Sequence, residues 1–118
     1  MNLRLVLWLD AATCVATGLL LSLLAERLSE ILGLPQPLLF YAGLSLFPIA
    51  AFMAWTARRP AEPAVWLVIG GNVLWVLGSL AVLALSPTAT GYAFVLAQAV
   101  AVAVLAELEY AGLCQLPK

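Results

Sequence analysis

Apolar residues in this chain fall into four long runs, over residues 5–24, 38–57, 64–85 and 92–110. A helix needs about 20 predominantly apolar residues to cross the hydrocarbon core of a bilayer, and each run meets or approaches that length. Polar punctuation separates them: Gly33, Pro35 and Pro37, then Pro60 and Pro63, then Ser86, Pro87 and Gly91. The gaps are short, so helices that follow one another in sequence are expected to be antiparallel neighbours. The pattern predicts an all-α integral membrane protein, one domain over residues 1–118, with four transmembrane helices in an up-down-up-down bundle.

Two smaller patterns refine this. In the first loop Leu28, Ile31 and Leu32 are spaced for one helical face, with Glu26, Arg27 and Glu30 between them. That spacing predicts a short interfacial helix ending at Gly33, either a lid or docking element or a continuation of the first span. Trp8-Leu9 and Trp66-Leu67 open the first and third runs, and Tyr41-Ala42 and Tyr92-Ala93 open the second and fourth. A duplicated helical hairpin would produce this echo, although aromatic residues recur at membrane interfaces in any case. The first run follows Arg4 but is long, contains Asp10 and lacks a small-x-small site before Ala25, so it reads as a retained span and not a cleaved leader.

Composition tightens the class. Of 118 residues 65% are hydrophobic and 9% charged, where a globular chain has about 45–50% and about 25%; the lipid bilayer is the expected solvent. A net charge of −1, from five basic and six acidic residues, leaves no basic surface for nucleic acid. The absence of histidine removes the usual haem ligand, the commonest zinc ligand and the usual general base. Cys14 and Cys114 stand apart, without the spacing of a metal site, and read as small apolar residues. No cofactor and no metal is expected.

Basic residues set the expected orientation. Arg4, Arg58, Arg59 and Lys118 fall on one side of the four runs and only Arg27 on the other, which places both termini in the cytoplasm. Trp8, Trp55, Trp66 and Tyr110 would form an aromatic belt at that interface, and Phe40, Tyr41 and Tyr92 one at the opposite face.

Within lipid, helices associate through close backbone approach and a few polar bonds, because leucine gains little by leaving lipid tails for another leucine. Gly18 on the first helix, Gly71 and Gly78 on the third, and Ala97 and Ala101 on the fourth are therefore expected at the seams. Pro48 should kink the second helix by freeing a carbonyl one turn earlier, with Ser45 placed to help satisfy it.

Polar residues inside the spans are few. Asp10, Thr13, Cys14 and Thr17 lie on one face of the first helix at i, i+3, i+4 and i+7. Asn72 on the third helix, with Ser79 two turns on, and Gln98 on the fourth can each donate and accept across helices. Glu109 shares a face with Gln98, whereas Glu107 points elsewhere, since residues two apart diverge by about 200°. Asp10, Thr13, Thr17, Asn72, Gln98, Glu107 and Glu109 form the candidate ligand, proton or structural polar set. Ionisable groups within spans are costly and mark functional sites or pairs. Asp10 lies only about 9 Å along the helix from Arg4, so pairing with Arg4, Arg58 or Arg59 is the structural expectation. A carboxylate without such a partner would be a candidate proton carrier or cation site.

No nucleophile with a base and no metal set is present, so an enzyme is not expected. Two readings remain. The favoured one is an accessory, assembly or scaffold module that packs with other membrane helices. The alternative is a homo-oligomeric transporter or channel for a small or amphipathic solute, with a carboxylate site on the cytoplasmic side. A continuous polar cavity from Asp10 past Asn72 and Gln98 would favour transport, and a solid core with these groups bonded to each other would count heavily against it.

Overall fold

The computed structural model describes residues 2–115, and all regular structure among them is helical. Four helices are long and apolar enough to cross a membrane. The first, α1, covers Leu3–Leu23 and starts on Asn2, whose side chain accepts the Leu5 amide at 3.0 Å. A break at Leu24 separates it from α2, Ala25–Leu32, which ends on Gly33 in the left-handed region at φ 70°. The third helix, α3, spans Gln36–Arg58 and carries Pro37 in its first turn, where a missing N–H costs nothing. Helix α4 spans Glu62–Val82, again with proline in its first turn, and runs into a 3₁₀ turn over Leu83–Leu85. The last, α5, spans Ala89–Leu113 from an N-cap at Thr88. At about 1.5 Å per residue, even a helix of 21 residues covers a hydrocarbon core about 30 Å thick.

The short helix of the first loop is present and distinct from α1. Its inward face is Ala25, Leu28 and Leu32, while Ile31 is exposed beside Glu26, Arg27 and Glu30. The first long helix therefore ends at Leu23, and α2 turns back across the end of the bundle to pack on α3 and α5.

Packing divides the chain into two pairs. Helices α1 and α3 make the largest interface, α4 and α5 the next, and α1 joins the pairs through α5. Helices α3 and α4 barely touch, although only residues 59–61 separate them. This departs from the expectation that every consecutive pair would be neighbours. Contacts in α1 and α3 run in opposite order, with Cys14 on Met53 and Gly18 on Gly43. The molecule measures 48 × 22 × 20 Å, and its long axis matches the roughly 40–45 Å of a bilayer with its headgroups.

The tightest seam is α1 on α3. A Cβ at Gly18 would stand 3.0 Å from the Gly43 carbonyl, and one at Gly43 would stand 2.8 Å from the Ser22 amide. Gly43, absent from the expected seam residues, is thus the partner that lets Gly18 work. At one end of the bundle Leu3 of α1 fills the space beside Gly112 of α5. At the other, the Leu32 carbonyl lies against Gly91, where a Cβ would overlap it. Thr88 closes that end by donating its amide to Leu32 O at 3.0 Å and its hydroxyl to Ile31 O at 2.8 Å.

Other expected seam residues are elsewhere. Gly71 and Gly78 are exposed, with nothing within 4 Å of an added Cβ; Ala97 is exposed, and Ala101 borders open space beside Asn72 and is not packed at a seam. The buried face of α5 is instead Gly91, Val95, Ala99, Ala106, Glu109 and Gly112. Alanine is apolar enough to sit against lipid as readily as against a helix, so its spacing alone does not mark a seam. Pro48 lies inside α3 as expected, but the Ser45 hydroxyl donates to Ala42 O at 2.7 Å and not to the freed carbonyl one turn before the proline.

Candidate functional site

Three helices converge on a polar cluster in the half of the bundle that holds the first turns of α1. Asp10 follows from the α1 face that also buries Leu3, Leu7, Ala11, Cys14 and Gly18, and it is 2% exposed. Glu109 is carried inward by the α5 face of Ala106 and Gly112 and is fully buried. Asn72 of α4 stands between them. Its Nδ2 donates to Asp10 Oδ2 at 2.8 Å and to Glu109 Oε1 at 2.7 Å, so one amide group spends both its hydrogens on two carboxyl groups.

The second oxygen of Glu109, Oε2, is buried and receives no hydrogen bond from an N–H or hydroxyl among the described residues. The two carboxyl groups thus flank a single amide nitrogen, at 2.8 and 2.7 Å. The Cys14 thiol lies 3.9 Å from Asp10 Oδ1 and 3.7 Å from the Met53 sulfur, contacts too long to carry much energy.

The expected pairing with arginine is not what the structure holds. Arg4, Arg58 and Arg59 are exposed, and both carboxyls take their hydrogen bonds from Asn72. The physical reason is direction. Asp10 projects into the helix junction while the arginines, near helix ends, reach outward toward water. Lys118 falls outside the described residues. Glu107 is exposed, two residues and about 200° around the helix from Glu109.

A second polar network lies deeper along the same junction. Trp75 Nε1 donates to Gln98 Oε1 at 2.7 Å, and Gln98 Nε2 donates to Ser79 Oγ at 2.7 Å and to Val95 O at 2.9 Å. Ser79 in turn donates to Trp75 O. Asn72 and Gln98 therefore belong to different networks. Trp75 was not among the expected site residues; its place one turn after Asn72, on the face that leads to Ser79, was the available signal. Thr13 is exposed, donates to Leu9 O and borders the smaller of the cavities described next, and Thr17 is half-buried and lines both.

Because α3 and α4 stand apart, space opens between the two helix pairs. A cavity of about 460 Å³ lies there, walled by leucines of α3 and α4 and by Phe94, with Trp75, Ser79 and Gln98 among its few polar groups. A smaller one of about 70 Å³ reaches Asp10, Cys14 and Asn72. The two share Thr17, Ile49, Gly71, Trp75 and Gln98. The junction is thus neither a solid core nor a polar channel, but an apolar groove beside a smaller cavity that reaches Asp10, with Glu109 outside the lining of both. Gly71 and Gly78 serve this shape, since their missing side chains keep the α4 wall open.

Compared with protein-family models, with curated proteins and with solved structures, the chain matches none.

Proposed function

We propose that this protein binds a small amphipathic solute within the bilayer, as a carrier, in the groove between α3 and α4. The observation that supports this is the groove itself, about 460 Å³ of largely apolar space beside a smaller cavity at Asp10 with which it shares a wall. Its size is that of a small-molecule site, typically about 300–1,000 Å³ with few polar groups. A scaffold that only packs has no need to keep two helices apart when only residues 59–61 join them.

In this reading the four long helices alternate in direction across the membrane, with both termini and residues 59–61 in the cytoplasm. The positions of Arg4, Arg58 and Arg59 support that orientation. So does the edge-on contact of Trp66 and Tyr110, at 5.8 Å, at the end opposite the Phe40–Tyr41 pair. The carboxyl pair then lies on the cytoplasmic side.

The test uses a neutral photoreactive probe, 4-neopentylbenzophenone, with the full chain in lipid nanodiscs. Saturable labelling should map by mass spectrometry to α3 and α4 around the groove. The substitutions Gly71→Leu and Gly78→Leu fill the space and should reduce labelling by about tenfold, a loss of about 1.4 kcal/mol. Labelling that neither saturates nor responds to them would sink the proposal.

The accessory-module reading keeps one specific support: Ala93 and Ala97, one turn apart on α5, are exposed, the kind of small-residue surface that admits another helix closely. Co-purification of a second membrane protein in mild detergent, lost on Ala97→Leu, would favour it.

A further inference from the structure

We infer that the solute is a lipophilic monovalent organic cation, held by the Asp10–Glu109 pair in exchange for a proton. This rests on the groove being the binding site, and it adds the charge of the ligand and what it displaces.

Four observations carry it. Two carboxyl groups, 2% and 0% exposed, share one amide donor. Glu109 Oε2 is buried without an N–H or hydroxyl partner. Asp10 lines the smaller cavity, which shares a wall with the groove. Trp75, on the wall common to both spaces, offers an indole to a passing cation.

The groups facing the pair leave its charge unbalanced. From α1 comes Cys14, from α3 Met53, from α4 Asn72; the basic residues Arg4, Arg58 and Arg59 are exposed. Charge in a low-dielectric site must be matched locally, and since no basic side chain among the described residues faces the pair, a proton or a visiting cation can do so. A small hydrated metal ion is a poor visitor, because the route is walled by leucine and phenylalanine and supplies few oxygens to replace its water. A quaternary or protonated amine with apolar substituents carries its own compatibility with those walls. When such a cation docks, one proton leaves the pair for water, so that the site's net charge is the same before and after. No bond to carbon is made or broken.

The experiment compares two probes that differ only in charge: 4-(trimethylammoniomethyl)benzophenone and its neutral isostere 4-neopentylbenzophenone, on the full chain in nanodiscs. The expected result is saturable labelling by the cation that weakens by at least about tenfold between about pH 8 and about pH 5.5, as protons compete. The neutral probe should show no such dependence. In Asp10→Asn, and separately in Glu109→Gln, the ratio of cationic to neutral affinity should fall from about ten or more toward about one. In the unaltered protein, binding of the cation in weak buffer should release about one proton per site.

A ratio near one in the unaltered protein, or a ratio untouched by both substitutions, overturns the inference while leaving the groove as a site for neutral solutes. Failure of both probes to label overturns the groove reading itself. Should either variant be unstable, the proton-release measurement on the unaltered chain decides: cation binding with no release overturns the exchange.

Discussion

At the scale of single residues, Asn72 is the member of the polar cluster with no substitute. Each interhelical hydrogen bond in a membrane contributes about 0.6 to 2 kcal/mol, and a buried acceptor left without a donor costs about 1–3 kcal/mol. Asn72→Leu removes both donors at once and should destabilise the fold by about 2–4 kcal/mol, measured by unfolding in mixed detergent micelles. Glu107→Ala, on the exposed face of α5, should stay within about 0.5 kcal/mol in the same assay. Asp10, Asn72, Gln98 and Glu109 are each conspicuous in the sequence, because a polar side chain in a lipid-spanning run demands a partner. Which partner each takes is not visible there. Pairing depends on how far one helix is slid and rotated against another, and a four-helix chain has several registers that would satisfy the same side chains. The arginines illustrate this: Arg4 is near Asp10 in sequence, and Arg58 and Arg59 fall at the same end of the four runs, yet all three are exposed.

Among the helices, glycine position separates contact from open space. Gly43→Ala drives a methyl group against the α1 backbone, and Gly91→Ala drives one into the Leu32 carbonyl. Both should cost several kcal/mol, since backbone cannot swing aside as a side chain can; overpacking costs about 1–3 kcal/mol even where side chains absorb it. Gly70→Ala meets nothing within 4 Å and should be neutral or stabilising by up to about 1 kcal/mol through helix propensity. Thermal unfolding in detergent ranks the three, and a Gly70 variant as damaged as the Gly43 variant would contradict this packing. The helices themselves were legible from length and hydropathy, because no other structure satisfies so many backbone groups in lipid. Their seams were not. In water an apolar stripe announces the buried face, but here every face is apolar, so Gly71, Gly78, Ala97 and Ala101 looked as good as Gly18, and Gly43 did not stand out at all.

On the scale of the molecule, the two cysteines report orientation and burial together. Cys114 is exposed just beyond α5, and Cys14 is buried in the cluster. A membrane-impermeant maleimide should label Cys114 from the cytoplasmic side only and leave Cys14 unmodified until the protein is unfolded. Labelling of Cys114 from the opposite face would reverse the orientation argued from the arginines.

The separation of α3 from α4 has a last consequence, which concerns where the solute is counted. On the proposed function, a groove between these two helices would face the acyl chains, and a ligand would arrive from there and not from bulk water. The concentration that sets occupancy is then the one dissolved in the membrane, which for an amphipathic compound far exceeds the aqueous value. Weak intrinsic contacts suffice under those conditions. Apparent potency should follow each compound's partition coefficient before it follows its fit to Trp75 or Asp10, and screens run in water alone would rank candidates in the wrong order.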